Sequence, residues 1–452
     1  MFRASKFFLI LLCNLAATSG FSFSLLGPAA PWQTPDIGYL RGGQFGGSMN
    51  LGEEYRRNVP VLTYAFDDSF FQYFGSNGVR AIDQAMKILN DIPPASRINL
   101  GTNCDDPASF FKCNTRSVNP AAAALNMYDL KSEALHLLVE ESGLAFPEYN
   151  VWALRGVATF QVGMLTFTNV IVIMRNFDPV TYKPTNSVNG IDYDYLILTP
   201  PPYFDAIEVP SAFSGTSIAG DSLQTGAFYF GITRDDAGGL RYLLRRDNRN
   251  VEDLPANTFF VSGSTTTSSP WLPLFASGFT NSFFTNFVGN VFVTQGLRGG
   301  VEKVSYRKVK FDSLLGQVIT PITNRFIDRV FSNGRQISQV VERISFVPDI
   351  LFSARDLGLD PFGDPFLVER TGAAGWINND AINGFPGDNG PGVIANSVNI
   401  SFSNLGPFQS QILPFGFGFD FVWGSFDDTE ITAIYPESLN LTVQDLENRS
   451  TP

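Results

Sequence analysis

One histidine, His136, occurs in 452 residues. A metal centre built on several imidazoles is therefore excluded. Cysteine is almost as scarce. Of three, Cys13 falls in the N-terminal apolar stretch, and Cys104 and Cys113 have neither the C-x-x-C spacing nor a further thiol with which to complete a zinc site. Charge is sparse too: only 16% of residues are Asp, Glu, Lys or Arg, and the formal net charge is −12. No basic stripe offsets that acidic field, which argues against nucleic acid as a partner. Long apolar runs are missing as well. Val170 to Met174 is bounded by Asn169 and Arg175, and nothing beyond the N-terminus approaches the roughly 20 residues a transmembrane helix needs.

What is present is apolar bulk: 44% hydrophobic residues, including 43 Phe, interspersed with 41 Gly and 28 Pro. Such a composition rules out an extended disordered chain and suits many short strands joined by tight turns. The length allows two or three domains of about 100 to 200 residues each. Residues 1–20 read as a signal peptide: Arg3 and Lys6 carry positive charge, Phe7 to Leu15 are apolar, and Ala16, Ala17, Ser19 and Gly20 are small. Leu12 stands before Cys13 where a lipoprotein signal wants a small residue, so lipidation is not expected. The expected location is extracellular or at the cell surface. In an oxidising compartment Cys104 and Cys113, with eight residues between them, are expected to form a disulfide. A loop of that size contributes about 2 to 3 kcal/mol.

Residues 21–52, with Gly27-Pro28, Gly42-Gly43 and Gly46-Gly47, show little periodicity and read as an N-terminal arm. From residue 53 the pattern sharpens. Val61 to Phe66 reads as a strand, and Val79, Ile82, Met86 and Leu89 share one helical face. A second helix is expected from about Ala121 to Ser142, ending before Gly143. Strands follow within Val151 to Met174, at Tyr195 to Leu198 and at Ala227 to Gly231; a helix over about Gly238 to Arg245 is expected to take its cap from Asp235 or Asp236. Residues 251–452 lose helical periodicity. Phe259 to Val261, Asn290 to Thr294, Val304 to Phe311, Gln336 to Phe346 and Val398 to Phe402 read as strands, with turns at Asn333-Gly334 and Asn383-Gly384. The fold class is thus α+β, with a first domain over 53–250 and a β-rich region over 251–452 that divides near 348–365 if it has two modules.

The segment running from Asp129 through His136, Leu137, Glu140, Glu141, Gly143 and Phe146 to Pro147 carries part of a known motif. Zincins place H-E-x-x-H on a helix, because residues four apart share a face and both ligate zinc while the Glu activates water; metzincins extend it by x-x-G-x-x-H. This segment resembles the matrixin (metzincin) active-site helix, with His136 at the first ligand position and Gly143 at the turn. Val61 to Asn90 is similar to the first strand and helix of that family's catalytic domain, and Thr233 to Leu243 to its C-terminal helix, so the resemblance covers about residues 55 to 246. The stretch from Glu148 to Tyr229 is longer than the connection the family uses. The resemblance implies a twisted sheet with helices, and a zinc site that has been lost. Leu137 stands where the general base belongs, Glu140 replaces the second His, and Phe146 replaces the third. No catalytic residue and no metal ligand set is therefore expected. His136 and Glu140 are expected to form a surface helical pair contributing a few tenths of a kcal/mol. An ordinary amphipathic helix ending at a glycine is the plainer alternative.

Weaker signals remain. Asp356, Asp360, Asp364 and Asp388 carry oxygen donors of the kind calcium takes, which makes calcium the one cofactor the sequence admits, but Asp and Gly form turns unaided and that reading is preferred. A Ser-His-Asp hydrolase lacks a G-x-S-x-G elbow. Asn399-Ile400-Ser401, Asn440-Leu441-Thr442 and Asn448-Arg449-Ser450 fit the glycosylation pattern. Trp152, Trp271, Trp376 and Trp423 suit sugar stacking or a core, with the core as default. The expectation is a secreted, non-catalytic protein on a pseudo-metalloprotease scaffold that binds a protein or glycan partner outside the cell. The alternatives are an active secreted hydrolase or peptidase with an atypical site, and a self-assembling subunit of an extracellular structure.

Overall fold

The computed structural model describes residues 20–39, 46–104, 106–198, 204–211, 215–220, 223–261, 292–332, 334–359, 365–371, 376–378, 391–395, 397–406 and 421–450. Residues 1–19 of the expected signal peptide, Trp271, the Asn383-Gly384 turn, Asp360, Asp364 and Asp388 lie outside them. No described helix is long and apolar enough to cross a membrane.

The strand Val61–Phe66 opens the core, as its Val/Leu/Tyr/Phe content favours. Asp67 stops it and starts the next element, accepting a hydrogen bond from the Phe70 amide at 2.9 Å to cap α1, Asp68–Asp91. Phe70, Phe74, Ala81, Ile82, Ala85, Met86 and Leu89 form the buried face of α1. Gly75 kinks the helix at φ +56°, and a Cβ there would overlap the Glu437 carboxylate, so only glycine fits.

Val61–Phe66 belongs to a five-stranded sheet in the order Ser305–Lys308, Val61–Phe66, Ile350–Arg355, Val398–Ser403, Val368–Thr371. The first four are parallel and the last is an antiparallel edge. Asp349 sets the register of the two central strands: its Oδ2 accepts from the Thr63 amide at 2.7 Å and the Thr63 hydroxyl at 2.9 Å, and Arg343 neutralises it. Phe66, Phe70, Phe74, Phe352, Phe402, Trp423 and Tyr435 fill the space between sheet and helices, with ring pairs such as Phe66–Phe70 at 4.8 Å and Phe74–Tyr435 at 5.1 Å. Trp423 is thereby a core residue, its indole bonded to the Ser403 carbonyl.

A second five-stranded sheet, wholly antiparallel, runs Arg249–Asp253, Gln295–Gly299, Ile322–Ser332, Arg335–Ser345, Thr258–Phe260. Ser332 pairs with Arg335, and Gly334 between them has φ +74°; Asn333 of the expected turn lies outside the described residues. Because the first sheet takes one strand from residues 61–66 and four from beyond residue 300, its core crosses residue 250, where the sequence pattern changes character.

Three local expectations are corrected. The arm contains a fully buried strand, Phe23–Gly27, paired with Gly47–Met49, Leu144–Ala145 and Asn176–Phe177; covered on both faces, it shows no alternation. The helix expected over Ala121 to Ser142 is two, α2 (Pro120–Ala124) and α3 (Leu130–Glu140), because Asn126 adopts φ +52° and Met127–Asp129 pairs as a strand with Val422–Gly424. The last expected helix begins earlier, and Thr233 caps it: α5, Arg234–Leu244, follows a Thr233/Asp236 capping box that satisfies two orphan amides reciprocally. α4 is the single turn Pro147–Asn150.

Cys104 and Cys113 stand at disulfide distance, with Cα atoms 5.3 Å apart. One element stands apart. Ala153–Val162 and Leu165–Ile173 form a two-stranded ribbon that pairs with no other strand among the described residues, turning at Gly163 with φ +65°.

Candidate functional site

Asp129 caps α3 by accepting from the Ser132 amide at 3.0 Å, and its own burial pushes its carboxyl upward. The helix then runs into the interior, packing on α1 and on the strands Ala227–Tyr229 and Val422–Phe426. Leu137, at the position where the zincin motif has its base, is 4% exposed and sits in the main apolar core. His136 and Glu140 do share a face, with Nε2 and Oε2 3.6 Å apart. The pair is buried rather than on the surface, which corrects the expected surface pair.

Both groups are engaged. His136 Nδ1 lies 2.7 Å from the Ile218 carbonyl, which only accepts, so Nδ1 carries the proton and Nε2 faces Glu140. Glu140 Oε2 accepts from Arg370, 2.6 Å away on the antiparallel edge strand. Glu141 pairs with Arg57 at 2.8 Å, and burial is the main influence holding its carboxyl above the usual range. Positive charge thus reaches both carboxylates from guanidinium groups. Among the described residues no cluster of three or more His, Cys, Asp or Glu is arranged to hold a metal ion. A peptidase-type zinc centre takes three protein ligands plus water.

The backbone that meets His136 is itself held by buried carboxylates. Glu148 on α4 accepts from the amides of Thr216 and Ser217 at 3.0 and 2.9 Å and from the Ser217 hydroxyl. Asp236 on α5 accepts from the Ile218 and Ala219 amides at 2.9 and 3.1 Å. Four successive amides are therefore satisfied by two side chains, and the Ile218 carbonyl is left aimed at the imidazole. Next along, Gly220 lies under the Phe146 ring, which a Cβ would strike. Phe146, at the position where the metzincin motif has its third His, also lies 6.1 Å from the Tyr149 ring and fills space. Neighbouring Asp235 accepts from the Ser22 and Asn189 amides and ties the buried N-terminal strand to α5. Desolvation raises the carboxyls of Glu148 and Asp236, and that of Asp235 most strongly.

Sequence reasoning found His136, Leu137, Glu140 and Phe146, and Asp236 only as a candidate helix cap; Arg370, Arg57, Ile218 and Glu148 carried no signal. Asp356, a candidate calcium ligand, accepts from the Gly358 amide at 2.9 Å and serves a turn. Asn399 lies within the central sheet and accepts from Ser353, whereas Asn440 and Asn448 are exposed. No family model, no curated protein and no solved structure matches the chain.

Changing His136 to Ala removes a buried hydrogen bond and leaves the Ile218 carbonyl unpaired, so unfolding free energy is expected to fall by about 1 to 3 kcal/mol. Denaturant titration checks this, and a loss of only a few tenths would mean the imidazole is not held as described.

The raised carboxyls also set a pH dependence. A carboxyl with a raised folded pKa binds its proton more tightly in the folded state; its stabilisation is complete below the unfolded value, near about 4, and is lost as pH rises through the folded value. The melting temperature is therefore expected to climb as pH is lowered from neutral towards that value. Asp235→Asn should flatten the curve measured by calorimetry; a wild-type curve that falls throughout on acidification contradicts the assignment.

Proposed function

We propose that this is a secreted, non-catalytic protein in which a matrixin-like helix has been converted from a zinc site into a structural joint. The observation that carries this reading is the engagement of both surviving candidate ligands: Glu140 is bound to Arg370 and the Nδ1 of His136 to Ile218. Leu137 packs in the core at the position where a base would activate water, and Phe146 fills the third ligand position. Neither side chain polarises water or donates to a metal. In this reading α3 keeps the rigidity of its former role, joining α1, the edge strand through Arg370 and the loop through Ile218, and serves to present binding surfaces outside the cell. The Cys104–Cys113 pair suits an oxidising compartment.

The test has two parts. Purified protein should carry no stoichiometric zinc by elemental analysis and should cleave none of a broad peptide library. Installing Leu137→Glu, Glu140→His and Phe146→His together should then create a zinc site measurable by titration, since His136 already shares the face. A folded triple variant that binds no zinc, or zinc bound at His136 in the unmodified protein, removes the basis for the matrixin reading.

A second reading, assembly with further copies, is favoured by the isolated ribbon. Gly156 to Met174 carries no charge in a chain of net charge −12, so like-charge repulsion between copies is low there. One face of the ribbon presents Phe160, Val162, Phe167 and Ile171, with Phe160 and Phe167 stacked at 5.6 Å; the other presents Val157, Thr159, Gln161, Thr168 and Val170. Its edges meet no described strand and carry no charge to block pairing. Sedimentation at several concentrations should show self-association that Thr168→Lys weakens. Strictly monomeric behaviour would dismiss this second reading.

A further inference from the structure

The ribbon formed by Ala153–Val162 and Leu165–Ile173 projects from the rest of the chain. Beyond the bulge at Arg155 the two strands pair from Gly156 with Ile171 to Val162 with Leu165, seven residues on each. At about 3.3 Å per residue that is a reach of roughly 23 Å. Ala158 to Met164 and Phe167 to Asn169 are exposed, and Met164 at the tip is wholly so.

The pairing register sorts the side chains onto two unlike faces. Phe160, Val162, Phe167 and Ile171 share one face and are each between 44% and 60% exposed, so nothing in the folded chain covers them. Asn169 is the one hydrogen-bonding side chain described on that face, opposite Ala158. The other face carries Thr159, Gln161 and Thr168 between Val157 and Val170. A protein partner is oriented by hydrogen bonds and charges set around an apolar centre, and the Phe160 face offers almost none of either. A lipid surface needs no such encoding. The ribbon's open edges exclude it from the hydrocarbon core, where unpaired backbone amides have no partner. They do not exclude it from the interface, where an apolar face sinks about 5 to 10 Å while edges and polar face stay among headgroups and water.

The base of the ribbon fits the same surface. Arg155 and Arg175 close the uncharged stretch at its two ends, and their guanidinium carbons stand 4.4 and 5.8 Å from the Trp32 ring. Neither forms an ion pair among the described residues, and Arg155 is exposed. An indole beside guanidinium groups is the combination that settles at headgroup depth, where phosphate oxygens accept from the N–H fork. Charge also selects the kind of membrane. A chain of net charge −12 is repelled by an anionic leaflet, so the surface that suits it is zwitterionic.

We propose that the ribbon docks this protein on a zwitterionic lipid surface, with Phe160, Val162, Met164 and Phe167 entering the interface and Arg155 meeting the phosphates. The site is independent of the matrixin reading. It also goes beyond the assembly reading, which uses the ribbon's edges and which sedimentation without lipid tests separately. Flotation of the mature chain, residues 21–452, with phosphatidylcholine vesicles tests it, and the protein is expected to float with them. Phe160→Ser with Phe167→Ser should weaken binding by at least about tenfold at an unchanged melting temperature, because the two exposed rings stack on each other. Arg155→Glu should weaken it as well, whereas Gln161→Lys, on the opposite face, should leave it unchanged. Failure to float, binding that the ring variant or Arg155→Glu leaves intact, or an equal loss with Gln161→Lys would overturn the proposal. So would rings that act only in association of copies without lipid, which would assign the face to a second copy of the chain.

Discussion

Arg56 is fully buried, and its guanidinium is engaged on all sides. Nε donates to Glu252 Oε1 at 2.9 Å, one terminal nitrogen to the carbonyls of Leu243 and Asn248 at 3.1 and 2.8 Å, and the other to the Arg298 carbonyl at 3.0 Å. These partners lie at the end of α5, in the loop behind it, and in two strands of the second sheet. Burying a charge is costly unless it is paired and its donors are satisfied, and here both conditions hold. Burial raises the Glu252 carboxyl while Arg56 lowers it. α5, the loop behind it and the second sheet therefore meet at one side chain, carried by the short strand Tyr55–Arg56, which pairs with Gly392–Ile394.

The same device recurs around α3. Carboxylates removed from water are held either by a guanidinium, as in Arg370–Glu140 and Arg57–Glu141, or by successive backbone amides, as at Glu148 and Asp236. Each pairing fixes segments distant in sequence, and together they aim the Ile218 carbonyl at His136. An imidazole and a carboxylate one helical turn apart share a face, and here Nδ1 meets the Ile218 carbonyl while Oε2 meets Arg370.

Charge is distributed unevenly over the remaining surface. The ribbon from Gly156 to Met174 has none, with Arg155 and Arg175 at its base, both against the Trp32 ring at 4.4 and 5.8 Å. A cavity beside the second sheet concentrates arginine, with Arg246, Arg249, Arg298 and Arg329 in its lining. In a chain with a net charge of −12, the ribbon is neutral and the cavity cationic, so partners of like or acidic character meet little repulsion at either.

Local features were legible in the sequence because their causes are local. The Val61–Phe66 strand, the buried face of α1, the close reversal between Ser332 and Arg335 and the proximity of Cys104 to Cys113 follow from side-chain periodicity, turn chemistry and short loop length. The buried N-terminal strand was not legible, since a strand covered on both faces has no alternation to read. Nor was the split between α2 and α3, where one left-handed asparagine and a parallel partner near residue 422 override continuous helical propensity. The identity of the candidate site residues came from spacing along one helix, whereas their state came from elsewhere. Arg370 lies 230 residues from Glu140 and Ile218 lies 82 from His136. Spacing along a helix decides which side chains share a face; only the folded chain decides which guanidinium or carbonyl arrives there first, because that depends on sheet order and on buried pairings that no local pattern encodes.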